Sequence, residues 1–236
     1  MESITEFQWK GRLGPLDLAL SDKTFAPSTI SSMLAEAMVI GDGDVVIDVG
    51  CGSGILAIIA AKLGAGHVYG VDQAEDVVEV ATSNAVRHGV ADMTTFMRGD
   101  LFDPLPLDLK ADVIIGDVSG IPDLIALESG WFPSGYGGGP SGSELPIRML
   151  ERAKQWLTPK GKLFLPTGTL QDENAILRAA KNMFSSLTQI TERRIPLPAA
   201  LAESAAVRKL VQDKIVQLTE KGSRALWMAR VWECTT

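Results

Sequence analysis

The stretch that decides the fold is VVIDVGCGSG, residues 45–54, in which an apolar run ends in Asp48 and glycines follow at positions 50, 52 and 54. Such a run is typical of a buried parallel strand whose carboxyl end opens towards a ligand. Glycines there permit positive φ angles and a close approach of the backbone to that ligand. The next residues, ILAIIAAKLGAG, predict a helix that stops at Gly64. Together they form the first half of a nucleotide-type site.

The spacing of the glycines separates two classes of nucleotide site. A dinucleotide fingerprint, G-x-G-x-x-G, requires glycine at position 55, which is Ile55 here. The pattern acid-x-G-x-G-x-G instead resembles the first motif of class I S-adenosylmethionine-dependent methyltransferases. This resemblance implies that Asp48 helps to orient the loop and the methionine end of the cofactor. The alternative is an ordinary strand–helix turn without a ligand, because short glycine motifs recur by chance.

Length and charge limit the architecture and the partners. The 236 residues suit a single domain, which we divide into an N-terminal lid or capping segment, 1–40, and a core, 41–236. The net charge of −7 works against binding of a large polyanion, so we expect a small-molecule or peptide/protein partner and no nucleic acid. No apolar run approaches the ~20 residues of a membrane span.

The two cysteines and the N-terminus bear on the compartment. Cys51 and Cys234 lie far apart and have no partners at metal-ligand spacing, so neither a disulfide framework nor a metal site is expected. The first ten residues carry acids before any apolar run, unlike a signal peptide. We expect a cytoplasmic protein.

The rest of the chain alternates strands and helices. Strands are predicted at 67–72, 93–98, 111–117, 162–166, 187–195 and 224–235, and helices at 28–39, 73–89, 143–157, 172–184 and 200–213. This alternation indicates an α/β fold, a mostly parallel, doubly wound sheet with helices on both faces. Two late strands that close a parallel sheet resemble the Rossmann-like methyltransferase fold, which implies seven strands with an antiparallel last strand.

Four carboxylates stand at or just past the ends of successive strands: Asp48, Asp72, Asp100 and Asp117. Strand ends form the ligand crevice of an open α/β sheet, so we expect the four to converge there. A carboxylate at the position of Asp72 can accept hydrogen bonds from ribose hydroxyls. The methyltransferase resemblance implies that Asp100 takes the adenine amine and that the Leu101 amide meets the ring. The alternatives are a helix cap for Asp72 and a turn residue for Asp100.

The resemblance is nearest to the group of release-factor glutamine and ribosomal-protein or RNA methyltransferases. It rests on NAVRHGV (84–90) and on TFAPSTISSMLAEAM (24–38). In that group the upstream segment covers the cofactor, which makes Phe25 and Thr29 candidate lid contacts; the alternative is a capping helix with a packed phenylalanine. The cofactor-binding residues expected are Asp48, Gly50, Cys51, Gly52, Gly54, Asp72, Gln73, Asp100, Leu101, Asp117, Phe25 and Thr29.

The acceptor side departs from the family pattern. Amide and amine methyltransferases of this group carry Asn/Asp-Pro-Pro-Tyr/Phe after the fourth strand, where this chain has Asp117-Val118-Ser119-Gly120. Asp117 is our candidate for orienting or deprotonating the acceptor. The loop 119–143 is predicted to recognise the acceptor, with glycines that let it close. Its candidate contacts are Ser119, Trp131, Phe132 and Tyr136; the alternative is a solvent loop pinned by one buried tryptophan.

The sequence therefore predicts a methyltransferase that uses S-adenosylmethionine, yields S-adenosylhomocysteine and acts on a small-molecule or peptide/protein acceptor. The alternatives are an RNA methyltransferase, a nucleotide-binding oxidoreductase, which Ile55 disfavours, and a cofactor-binding module without catalysis.

Overall fold

A computed structural model describes residues 4–132 and 137–236. Its strands are β1 (Thr5–Trp9), β2 (Leu16–Leu20), β3 (Val45–Val49), β4 (His67–Asp72), β5 (Thr94–Arg98), β6 (Ala111–Gly116), β7 (Leu157–Gly168), β8 (Ser186–Pro196), β9 (Thr219–Lys221) and β10 (Arg224–Thr235). Its helices are α1 (Thr29–Ala37), α2 (Ile55–Lys62), α3 (Val77–Arg87), α4 (Asp123–Ser129), α5 (Glu144–Ala153), α6 (Glu173–Met183), α7 (Ala199–Ala202) and α8 (Ala205–Gln212). None of the helices in these two ranges has the length and apolarity needed to cross a membrane.

The central sheet has the order β5-β4-β3-β6-β7-β10-β8. Strands β3 to β7 pair in parallel, and β10 runs antiparallel to both β7 and β8. The predicted α/β fold with an antiparallel last strand is confirmed. A short eighth strand, β9, pairs with the start of β10 and was not predicted. The strand order reverses between β3 and β6, which places the ligand crevice at their carboxyl ends.

Alternate residues of the central strands enter separate cores on the two faces of the sheet. Val46 joins a core formed with α1, α2 and α3, whereas Ile47 joins the one formed with α5 and α6. Every residue of α2 from Ile55 to Ala61 is buried. A helix so enclosed cannot shift easily, so the glycine turn before it has a fixed position.

The N-terminal segment is more structured than expected, because β1 and β2 form an antiparallel hairpin outside the main sheet. Asn84, fully buried on α3, ties this hairpin to the core. Its Oδ1 accepts the Ala19 N–H at 2.8 Å, and its Nδ2 donates to the carbonyls of Ala19 and Ser53 at 2.9 and 3.0 Å. One side chain thus joins the hairpin to the glycine turn. The division into segment 1–40 and core 41–236 stays a prediction.

Candidate cofactor and acceptor site

The glycine turn has the backbone conformation that its sequence predicts. Gly50, Gly52 and Gly54 have φ angles of 82°, 47° and 81°. The N–H groups of Gly50 and Cys51 both donate to the Val71 carbonyl at the end of β4. A Cβ atom on Gly50 would lie 2.5 Å from the carbonyl oxygen of Asp117. Two strand ends therefore meet at Gly50 in a contact that only glycine permits.

Asp48 lies under this turn, fully buried, and neither carboxyl oxygen has a hydrogen-bond partner among the described residues. Burial, and secondarily the charge of Asp117, raises its pKa well above the usual range; the nearby Ala57 backbone N–H opposes the rise only in part. A buried polar group without a partner is costly in a folded protein. The Asp48 carboxyl is thus enclosed at the base of the turn with little to compensate its burial.

Asp72 accepts two backbone hydrogen bonds at the end of β4. The Gly52 N–H donates to Oδ2 at 3.0 Å, and the Ala74 N–H donates to Oδ1 at 2.9 Å. Asp76 occupies the N-cap of α3, so Asp72 is not that helix's cap. Each carboxylate oxygen keeps a lone pair that can accept from a ligand hydroxyl.

Asp100 is held by two side chains at the end of β5. Gln73 Nε2 donates to Oδ1 at 2.6 Å, and the Arg148 guanidinium on α5 forms an ion pair with Oδ2. The next residue, Leu101, has a φ of 54° although its side chain is buried. A left-handed conformation in a branched residue is strained and often marks a functional position. Sequence reasoning missed Arg148, which is 48 residues from its partner.

Asp117, at the end of β6, has a pKa raised to about 6, chiefly because burial removes water from its carboxylate. The nearby charge of Asp72 adds to the rise, and a hydrogen bond from Ser31 opposes it. Ser31 Oγ donates to Asp117 Oδ2 at 2.8 Å and accepts the Ser28 N–H at 3.2 Å. The sequence singled out Thr29 in this segment and not Ser31.

The segment before α1 lies over the glycine turn. The carbonyl oxygen of Phe25 is 3.6 Å from the position that a Cβ on Gly52 would take. The Phe25 ring, 38% exposed, stacks on Phe132 with centroids 5.0 Å apart, so a predicted lid residue meets a predicted acceptor residue. Thr29 is exposed, and its side chain makes no hydrogen bond to the described residues.

The other predicted acceptor residues have mixed surroundings. The Ser119 hydroxyl is buried without a hydrogen-bond partner in the described part of the chain. Trp131 packs partly buried against the core beside α4, a helix that the sequence did not predict. Tyr136 lies outside the described residues. All of these assignments to a ligand stay predictions.

The described glycines of the loop 119–143 pack tightly against its backbone. Cβ atoms on Gly137, Gly138 and Gly142 would collide with the carbonyl oxygens of Ile121, Ser119 and Gly120. Asp123 Oδ1 also accepts the Gly137 and Gly139 N–H groups, at 3.0 and 3.3 Å. These described glycines allow two backbone segments to touch. The expectation that these glycines let the loop close stays a prediction.

The sequence of this chain is similar to those of known methyltransferases over part of its length. Residues 26–121 match the family model described as "Ribosomal protein L11 methyltransferase (PrmA)", which is fewer than half of the 236 residues. Over 79 residues, 33% of this chain, the sequence is 48% identical to a ribosomal protein arginine N-methyltransferase of Schizosaccharomyces pombe. Over 76 residues, 32% of the chain, it is 47% identical to the ribosomal protein L11 methyltransferase of Actinobacillus succinogenes. The aligned segments span only 14% and 25% of those relatives.

Solved structures share the fold. The 16S rRNA N2 G1207 methyltransferase of T. thermophilus, solved with AdoMet and guanosine, superposes with a TM-score of 0.65 at 14% identity. That likeness covers 99% of this chain and 50% of the other. A ribosomal protein L11 methylase from Lactobacillus delbrueckii gives 0.53 at 18% identity, over 88% of this chain and 77% of the other. The predicted fold and the resemblance to class I methyltransferases are thus confirmed.

Proposed function

We propose that this chain is an S-adenosylmethionine-dependent methyltransferase that acts on a protein. One observation carries the proposal: the buried Asp48 carboxyl has no partner among the described residues and lies at the base of a three-glycine turn. The acids Asp72 and Asp117 are close enough to influence its charge. The family match over 26–121 contains all three acids and supports this assignment.

The residues present fit the cofactor. Asp48 would help to orient the glycine turn and the methionine end, Asp72 would bind the ribose hydroxyls, and Asp100 with the strained Leu101 amide would bind the adenine ring. When bound, S-adenosylmethionine supplies a methyl group on a positively charged sulfur, which loses its charge as the methyl leaves. Burial is the main cause of the raised pKa of Asp48, and the negative charges of Asp117 and Asp72 add to it. A cation bound in this crevice would offset those two charges.

The protein itself would contribute to methyl transfer in two ways: it would align the acceptor atom with the methyl group, and it would accept the acceptor's proton. Holding the acceptor atom in line with the methyl group is worth up to ~7–11 kcal/mol in favourable cases. With a pKa of about 6, Asp117 is mostly ionised at pH 7 and can accept a proton from the acceptor atom. Asp117 would accept the proton that the acceptor atom gives up when S-adenosylmethionine, once bound, supplies its methyl group.

A protein acceptor is supported by the matched family and by the named relatives, which modify ribosomal proteins. The loop Asp117-Val118-Ser119-Gly120 lacks the Pro-Pro-aromatic sequence associated with glutamine amides and purine amines. We therefore do not assign the acceptor atom to a glutamine amide or a purine amine. The proposal keeps the cytoplasmic location expected from the sequence.

The proposal is tested by ligand binding followed by methyl transfer. Calorimetry should show that S-adenosylmethionine and S-adenosylhomocysteine bind and that NAD does not. Transfer of a labelled methyl group should then be measured to purified ribosomal protein L11, total ribosomal protein, ribosomal RNA and a small-molecule extract. We expect label in protein. Binding of NAD alone would indicate an oxidoreductase, and label confined to RNA would contradict the protein acceptor.

The hydrogen bond from Ser31 predicts a change in pH dependence. Because it favours the ionised form of Asp117, Ser31→Ala should raise the pKa of Asp117 above about 6. Activity that needs the carboxylate should then fall several-fold near pH 6 and recover at higher pH. The pH profile of kcat and a carboxyl-carbon NMR titration of Asp117 would measure this shift.

A matched control is available within the same helix cap. Ser28 and Ser31 form the reciprocal capping box of α1, but only Ser31 contacts Asp117. Ser28→Ala should therefore weaken the helix start by about 1 kcal/mol without moving the titration of Asp117. Equal pH profiles for the two variants would show that Ser31 acts only on the helix.

A further inference from the structure

A polar cavity beyond the end of β7 is not accounted for by the cofactor. It lies between the turn after β7 and the segment that follows α8, and Gln171, Asn174, Lys214 and Gln217 contribute to its lining. The two segments are joined by a hydrogen bond of 2.7 Å from the Gln217 N–H to the Thr169 carbonyl. The cavity is therefore a built feature at the carboxyl end of the sheet.

Gln171 connects this cavity to the loop that carries Asp117. Its side chain packs directly against Gly120, three residues beyond Asp117, so that a Cβ on Gly120 would collide with Oε1. Gln171 is only 7% exposed, yet its carboxamide makes no hydrogen bond to any described residue. Buried amides normally have partners, and the cavity that Gln171 lines is where a ligand could supply them.

The charges of the cavity are largely satisfied within the protein. Arg230 pairs with Glu173 at 2.5 Å and with Glu192 at 3.4 Å. Asp172 Oδ1 caps α6 by accepting the Ala175 N–H at 3.0 Å. Among the described lining residues, four side chains make no hydrogen bond or ion pair within the protein: the buried Gln171 and the exposed Asn174, Lys214 and Gln217.

We propose that this cavity, which we name the Gln171 subsite, binds a peptide segment flanking the methylated residue. Carboxamides offer a donor and an acceptor side by side, and this arrangement complements the C=O and N–H groups of a peptide backbone. A nucleic acid fits less well, because Lys214 is the one unpaired cation among the described lining residues and the chain carries −7 overall. The inference rests on the proposed function and adds to it the side from which the acceptor enters.

The subsite can be tested without knowing the natural acceptor. The protein, saturated with S-adenosylhomocysteine, is titrated with N-acetylglycylglycinamide, a neutral probe with three amide groups, and separately with adenosine monophosphate. Side-chain amide signals in ¹H–¹⁵N spectra report on Gln171, Asn174 and Gln217. We expect the peptide probe to shift all three. We expect Gln171→Leu to weaken its binding about five-fold, which corresponds to one lost buried hydrogen bond.

Two controls separate the possible failures. Gln212→Leu makes the same change at an exposed position outside the cavity and should leave probe binding unchanged. Asn174→Ala should also weaken probe binding, and it leaves the contact between Gln171 and Gly120 in place. It therefore tests the subsite even if Gln171→Leu fails to fold. If S-adenosylhomocysteine fails to bind in calorimetry, the proposed function is wrong. If it binds but the peptide shifts none of the three signals, or only adenosine monophosphate does, the subsite is wrong.

Discussion

Replacing Asp72 by alanine is expected to weaken the binding of S-adenosylmethionine about ten- to a hundred-fold. Loss of hydrogen bonds to a carboxylate costs ~1–3 kcal/mol, and each 1.4 kcal/mol is a tenfold change in affinity. The variant loses the expected ribose contacts, and it also frees the Gly52 N–H that Asp72 holds at 3.0 Å. The glycine turn, 50–54, should then be held less firmly at the place where the cofactor would bind. Calorimetry with S-adenosylmethionine measures the effect directly.

The matched control for this variant is Asp92→Ala, which removes the same charge at an exposed position near the start of β5. It should bind the cofactor like the unmodified protein, because the starts of the strands lie away from the crevice. A further variant, Asp72→Asn, keeps one carbonyl oxygen and should fall between the two. Unchanged affinity in Asp72→Ala would show that the acid only organises the turn after β4.

The parts of the fold that the sequence predicts are those determined by local patterns. The strands that became β3, β4 and β6 are apolar runs with an acid at or next to their carboxyl ends. The runs are apolar because both faces of each strand are buried, and the acids lie where the strand ends open to the crevice. The glycine turn has the expected positive φ angles at all three positions. Alternation of strands and helices then leaves few possible orders for a parallel sheet.

The contacts that escaped prediction join residues far apart in sequence. Ser31 reaches Asp117 across 86 residues, Asn84 reaches Ala19 across 65, and Arg148 reaches Asp100 across 48. No local periodicity marks such pairs, because each depends on how two elements pack. Ser31 belongs to the capping box of α1, and this local role is enough by itself to account for a serine at that position. The sequence therefore gives no sign of its contact with Asp117.

Short elements outside the parallel sheet were missed for a related reason. The strands of the N-terminal hairpin are five residues each and mix polar with apolar residues, so they give little periodic signal. The composition of the loop 119–143 predicts glycines that let it close. Its role in the described part, the close packing of Gly138 against Ser119, is visible only in three dimensions.

Gly50→Ala is expected to have the largest effect on the fold and the site together. An alanine there must adopt a φ of 82°, which costs ~1–2 kcal/mol, and its Cβ would lie 2.5 Å from the Asp117 carbonyl oxygen. Backbone cannot yield as a flexible side chain does, so the end of β6 must move away from the end of β3. We expect a loss of about 3 kcal/mol in the free energy of unfolding, at the upper end of common substitutions. The remaining folded protein should bind S-adenosylmethionine at least tenfold more weakly.

Gly43→Ala separates the two causes, because Gly43 has nearly the same φ, 81°, and a Cβ there would meet no atom within 4 Å. Gly43→Ala introduces the left-handed backbone strain without a steric clash. It should therefore lose about 1 kcal/mol in the free energy of unfolding and bind the cofactor normally. Chemical unfolding gives the first quantity and calorimetry the second. If the two variants lost equal stability and both kept their affinity, the contact between Gly50 and Asp117 would not control the site. A loss of affinity confined to Gly50→Ala would instead show that the meeting of these two strand ends holds Asp117 in place over the glycine turn.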